Sequence, residues 1–218
     1  MIHTVIFDIG GTLIEAPNIY DELGKLFDNN SFSKYSICIK SHFNLLRSRE
    51  KFYPVKKIFE KTLLYTAKEF NRLEIDISKA SIIYQDVFLN RCMLINGTIE
   101  LLNYLQANNV RIFALSDADA DVLIPALKKL SIFSFFNKIF VSSKLKAYKP
   151  SEKLIKKVAC NLTLPLDKII LIGDSRIDVE TANKLAIKSI LINKQSNAKV
   201  IPTFTISNIK YVKRIINQ

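Results

Sequence analysis

Residues 2–7 run Ile-His-Thr-Val-Ile-Phe, β-branched and aromatic in the main, and stop at Asp8 just before Gly10-Gly11. An apolar run that ends on a turn signal predicts a strand buried on both faces, with Asp8 at its carboxyl end. From about residue 17 to 95 the texture changes to helical spacing, as in Val55, Ile58, Phe59 and Leu63 with Lys56, Lys57, Glu60 and Lys61 between them. After Asn96-Gly97 strands and helices alternate. The pattern predicts helices near 98–107, 120–130, 151–160 and 178–186, and strands over 110–115, 139–141, 168–172 and 189–192. Short apolar runs separated by helical segments imply right-handed crossovers and a parallel sheet covered by helices. The expected class is α/β, with the long helical block inserted after the first strand.

A chain of 218 residues buries enough surface for one self-sufficient core with a modest insertion. With 49% apolar and 24% charged residues, and only Gly 5 and Pro 6, it is neither disordered nor fibrous nor of low complexity. No apolar run reaches the ~18 to 20 residues that cross a bilayer, and the first residues lack the basic start and long apolar stretch of a signal peptide. The expectation is a cytoplasmic globular protein without a membrane partner. Cys38, Cys92 and Cys160 are far apart in sequence with no close Cys or His partner, so reduced thiols are expected rather than a disulfide framework or a zinc site.

The net charge of +12 adds less than its size suggests. Residues 1–95 carry 13 Lys and Arg against 11 Asp and Glu, whereas residues 96–218 carry 19 against 9. The densest group is Lys144, Lys146, Lys149, Lys153, Lys156 and Lys157. No aromatic-interleaved stripe or nucleic-acid module accompanies it, so no nucleic-acid partner is expected. The Gly-rich dinucleotide fingerprint and the P-loop pattern are also missing from the sequence. No motif specifies an oligomer.

In an open parallel sheet, ligands gather outside the carboxyl ends of the strands. At those ends stand Asp8-Ile9-Gly10-Gly11-Thr12, then Ser116-Asp117, then Lys149-Pro150 before a helix, and finally Gly173-Asp174-Ser175 with Asp178 four residues on from Asp174. Carboxylates from two strands suit a hard divalent cation, and Ser, Thr and Lys donors suit a phosphoryl group held against it.

These four segments, in this order, resemble the motifs of the haloacid dehalogenase superfamily, most of whose members are Mg²⁺-dependent phosphatases and related phosphoryl-transfer enzymes. The resemblance covers the core, and the helical block falls where that superfamily inserts a cap. It implies a Rossmann-like core over 1–15 and 96–218 with a helical cap domain over 16–95. It further implies Asp8 as a nucleophile that takes up the phosphoryl group. Mg²⁺ would be held by Asp8, the Gly10 carbonyl and Asp174, with Asp178 orienting or reaching it through water. Lys149 would balance charge. Thr12 and Ser116 would cradle the phosphoryl oxygens, and Asp117 would sit beside them as a substrate contact.

Residue 10 departs from the pattern. In the phosphatases this position is a second Asp that protonates the leaving group and then activates water, and Gly10 has no side chain for either task. The main expectation is still a Mg²⁺-dependent hydrolase of a small phosphorylated metabolite, either with a leaving group that needs no protonation or with an acid from the cap. Cap candidates are His42, Tyr20 and Tyr53. One alternative is phosphonate hydrolysis through a cap lysine, Lys51, Lys56 or Lys57. Another is a vestigial or non-catalytic phosphate- or partner-binding protein. A dehalogenase is disfavoured, because those relatives use no metal and lack the Asp174 and Asp178 pair in this form. The run Asp117, Asp119, Asp121 reads as acid at a helix start.

Overall fold

The computed structural model describes residues 1–48, 51–163, 165–192 and 200–216. β1 (Thr4–Phe7) is buried at every position. Val5 and Phe7 enter the hydrophobic cluster on one face of the sheet and Ile6 the cluster on the other, as alternation along a doubly covered strand requires. The chain then turns through Gly10-Gly11 into β2 (Ile14–Glu15), and leaves the core as four helices: α1 (Ile19–Gly24), α2 (Ser33–Arg47), α3 (Val55–Glu69) and α4 (Lys79–Gln85). A π-helical turn over Asp86–Asn90 leads to β3 (Met93–Leu94), which pairs antiparallel with β2. This two-stranded ribbon carries the chain out to the cap and back. Leu23, Ile39, Ile58, Phe59 and Leu63 build a second hydrophobic cluster among the cap helices, which Val122 and Tyr148 of the core join.

From there the alternation runs as the pattern predicts. α5 (Thr98–Ala107), β4 (Arg111–Ser116), α6 (Ala120–Lys129) and β5 (Lys138–Val141) come first. They are followed by α7 (Ser142–Leu145), α8 (Glu152–Ala159), β6 (Ile169–Gly173), α9 (Arg176–Lys184), β7 (Lys188–Ile192), β8 (Phe204–Ile206) and α10 (Val212–Ile216). The six core strands are all parallel, in the order β5-β4-β1-β6-β7-β8. The chain builds outward from β1 on one side and then crosses to the other, so β1 and its neighbours β4 and β6 form the switch point at which such sheets open a crevice. Several short elements were not expected, among them β2, β3 and α10. β8 has only three residues, and α7 is a single turn; neither is long enough to show a period in the sequence. No helix among the described residues is long and apolar enough to cross a membrane. The three cysteines are free.

Core and cap are tied by long-range polar contacts. Asp119, just before α6, accepts the N–H groups of Val55 at 3.0 Å and Lys56 at 2.8 Å, so a core carboxylate caps the first turn of cap helix α3. The Tyr84 hydroxyl accepts the Asp119 N–H at 3.1 Å, the Tyr148 hydroxyl donates to the Tyr53 carbonyl at 2.7 Å, and Lys56 pairs with Asp121 at 2.7 Å. Asp119→Ala would leave one buried and one partly buried N–H group without their acceptor. The expected cost, by analogy with other lost helix caps, is about 1–2 kcal/mol in urea unfolding, and Asp119→Asn should recover much of it.

Candidate active site

Three carboxylates and one lysine meet where β1 and β6 end. Lys149 Nζ lies 2.6 Å from Asp8 Oδ1 and 2.6 Å from Asp178 Oδ1, and all three side chains are buried. One oxygen from each of Asp8, Asp174 and Asp178 falls within 4.8 Å of the others. The Thr12 hydroxyl donates to Asp8 Oδ2 at a long 3.4 Å. Ser116 is buried and lines the same cleft, and Asp174 faces it. The four segments picked out along the sequence are thus brought to one place.

Glycine is required at two positions here. Gly11 has φ +79°, and a Cβ on it would run into the Asp174 carboxylate. A Cβ on Gly173 would overlap the carboxylate of Asp178, so the close approach of α9 to the end of β6 depends on that residue as well. Gly10 is different. No atom lies within 4 Å of where its Cβ would stand, and its φ is not in the left-handed region. The site has room for a side chain at residue 10.

The four acids differ in their surroundings. Ser175 caps α9 and closes a capping box with Asp178, whose Oδ2 accepts the Ser175 hydroxyl and, at 3.1 Å, the Ser175 N–H. With Oδ1 on Lys149, both oxygens of Asp178 are occupied. Asp117 accepts the Ser142 hydroxyl and, at 3.0 Å, the Lys149 N–H on one oxygen, and the Arg47 guanidinium on the other. It anchors the segment that presents Lys149 and holds the end of α2 over it. Asp8, whose Oδ2 carries only the long Thr12 contact, and the less buried Asp174 are left as the acids most open to a ligand. Burial pushes Asp8 up to about 7, with nearby Asp178 adding to the rise and Lys149 opposing it. Burial and then Asp178 raise Asp174 to about 6. Burial would lower Lys149, but Asp178 and Asp8 hold it well above the ordinary lysine range.

These shifts set a sign. Asp8 and Asp174 titrate higher in the folded chain than unfolded, so the stability tied to their protonated forms is complete below the ordinary carboxylate value of 3.8 and lost as pH rises through 6 to 7. In chelator, Asp8→Asn is expected to melt higher than the parent at about pH 8 and to match it near about pH 4. Thermal melts at the two pH values check this; an advantage that is larger in acid would contradict it.

The cleft measures about 570 Å³, a size that fits a metabolite. Besides the motif residues it is lined by Glu15, Tyr20, Phe43, Arg47, Phe59 and Phe88. Of the cap candidates for an acid, Tyr20 lines it, and burial pushes its hydroxyl up to about 12. Tyr53 is not among the lining residues, and its carbonyl is taken by Tyr148. His42 pairs with Glu69 at 3.0 Å, outside the cleft. Lys51, Lys56 and Lys57 do not line it either: Lys51 lies over the Tyr53 ring, Lys56 pairs with Asp121 and Lys57 with Glu60. Lys149 is the one lysine lining the cleft among the described residues. Sequence reading missed Glu15 and Arg47. Glu15 follows the first motif closely enough to have been considered, whereas nothing in the local pattern distinguishes Arg47 from the other basic residues of the cap helices.

Comparison with known proteins bears on the family and the fold. A pyrimidine 5'-nucleotidase, PynA of Streptococcus pneumoniae, is 22% identical to this chain over a stretch that covers 93% of this chain and 90% of its own. Among solved structures, the HAD-hydrolase YfnB of Bacillus subtilis, bound to magnesium, superposes with a TM-score of 0.79 at 18% identity, covering 100% of this chain and 99% of that one. The L-2-haloacid dehalogenase of Xanthobacter autotrophicus reaches the same TM-score, 0.79, at 13% identity and with the same coverage of 100% and 99%. At those identities the superpositions speak for the fold, and the fold alone does not separate the two chemistries. The model of the haloacid dehalogenase-like hydrolases matches residues 5–192, a span that takes in all four strand-end segments and the helical insertion, and the chain belongs to that family.

Proposed function

We propose that the chain is a Mg²⁺-dependent phosphohydrolase of a small phosphorylated metabolite, working through Asp8. The observation that carries this is the convergence of Asp8, Asp174 and Asp178 around Lys149 at the switch point of the sheet. Three acids against one lysine leave negative charge uncompensated, and the raised Asp8 and Asp174 describe a site that a hard dication would relieve. Asp8 and Asp174, with the Gly10 carbonyl, would hold the ion. Asp178, saturated by Lys149 and Ser175, suits the orienting role rather than direct ligation. When bound, Mg²⁺ offsets charge on the phosphoryl oxygens.

The chain's own residues do the rest. A carboxylate oxygen of Asp8 forms a bond to phosphorus as the bond to the leaving oxygen breaks, and that oxygen departs with the electron pair. Lys149 stabilises the charge passing between Asp8 and the phosphoryl group. Thr12 and Ser116 donate to phosphoryl oxygens. Water then cleaves the aspartyl phosphate, returning Asp8 and releasing phosphate. Asp117 acts on this chemistry by positioning Lys149. With no side chain at residue 10, alkoxide leaving groups go unassisted, which favours acyl phosphates and other good leaving groups. The aromatic lining of Tyr20, Phe43 and Phe59 and the nucleotidase relative make mononucleotides the alkoxide-leaving substrates to screen beside acyl phosphates, with slower turnover expected for them in the absence of a residue-10 acid.

With acetyl phosphate or para-nitrophenyl phosphate, phosphate release is expected in Mg²⁺ and is lost in chelator. The lack of a residue-10 carboxylate favours one other reading, a phosphate-binding protein without turnover. That reading predicts Mg²⁺-dependent uptake of a phosphate mimic and no phosphate release from either compound.

A further inference from the structure

A second cluster of potential ligands lies in the cap, away from the cleft. Cys38 and His42 are four residues apart on α2 and so share a face, and Glu69, the last residue of α3, lies opposite them. Both side chains converge on one carboxylate oxygen: His42 Nε2 is 3.0 Å and Cys38 Sγ 3.3 Å from Glu69 Oε2. The three ligand atoms all lie within 4.8 Å of one another. A tetrahedral ion with bonds of about 2.0–2.3 Å separates neighbouring ligand atoms by about 3.3–3.8 Å, so the two contacts to Glu69 need adjust by only a few tenths of an ångström, while Cys38 Sγ and His42 Nε2, within 4.8 Å of each other, close by at most about 1.5 Å.

Helix packing supports the ligands, since α2 and α3 each run 15 residues and are held by the buried side chains between them. The buried Thr66 hydroxyl sits 3.5 Å from Cys38 Sγ, and the Tyr65 ring packs edge-on against His42 at 5.6 Å. Glu69 is exposed, which leaves the outer side open for water as a fourth ligand. We propose that Cys38, His42 and Glu69 form a surface site for a borderline transition-metal dication of the zinc class. A thiolate, an imidazole and a carboxylate select such an ion over Mg²⁺, which prefers oxygen ligands. Binding displaces the thiol proton of Cys38 to solvent and forms a metal–sulfur bond, with no change of oxidation state. The bound ion would staple α2 to α3, the two helices whose near ends meet Asp117 and Asp119 of the core.

The site is independent of the proposed chemistry at Asp8, and its test reads metal rather than turnover. Co²⁺ is titrated into the reduced chain in excess Mg²⁺, and the thiolate-to-cobalt charge-transfer band is followed. The expected result is a band that saturates at one equivalent, is absent from Cys38→Ser, persists in Cys160→Ser and Asp174→Asn, and needs at least ~10-fold more Co²⁺ in Glu69→Gln. Glu69 is exposed, so that variant keeps the fold. A parent chain with no such band, a band that survives Cys38→Ser, or a Glu69→Gln titration identical to the parent's would overturn the site.

Discussion

Gly10→Asp is expected to raise the rate at which the chain hydrolyses an alkyl phosphate by ~10² to 10⁴, the usual worth of a positioned general acid and base. The structure supplies the room: no atom lies within 4 Å of the position a Cβ would take, and the backbone there suits an ordinary residue. The gain should depend on the leaving group. An acyl phosphate expels a weakly basic oxygen and profits little in the first step, whereas an alkoxide needs a proton, so the ratio between the two substrates is the sharper readout. Steady-state rates of both variants on both substrates check this. A Gly10→Asp chain that folds and binds Mg²⁺ but gains nothing would show that the cleft serves some other chemistry.

The opposite change is expected from Asp8→Asn. An amide oxygen cannot take up the phosphoryl group, and with the nucleophile gone the release of phosphate should fall by a factor on the order of 10⁴ or more. The loss should not come from unfolding. Asp8 is buried and its ionised form is disfavoured there, so the neutral isostere is tolerated and melts higher above pH 7. Rates and melting curves on the same preparation separate the two effects. An Asp8→Asn chain that keeps the parent's Mg²⁺-dependent rate would remove Asp8 from the mechanism, even with the family membership unchanged.

Local pattern carries some parts of this molecule and not others. β1, β4 and β6 were legible because a strand covered on both faces shows as a short apolar run, and the acids and small residues that follow them mark the strand ends. Lys149 stood out from its lysine-rich neighbourhood through Pro150 and the helix that follows. Asp117 and Asp119 were read as acid at a helix start, and Asp119 does cap a helix, but one 64 residues earlier in the chain. Arg47 reaches Asp117 across 70 residues. Contacts like these depend on how the cap lies over the core, which no run of ten or fifteen residues encodes. His42 stands four residues after Cys38, and the reading that no cysteine has a close His partner passed over it, because without Glu69 brought alongside by the pairing of α2 and α3 the pair looks like an ordinary polar helix face.

The missing side chain at residue 10 also affects the second half of the reaction. If no carboxylate activates water, the phosphorylated form of Asp8 should be consumed slowly and build up during turnover, more in the parent than in Gly10→Asp. The most direct measurement is mass spectrometry of the chain quenched in acid while it turns over acetyl phosphate in Mg²⁺. The account predicts one added phosphoryl group, mapped to the peptide that contains Asp8 and missing from Asp8→Asn. A chain that releases phosphate with no adduct on that peptide, or with the adduct on another residue, would contradict it.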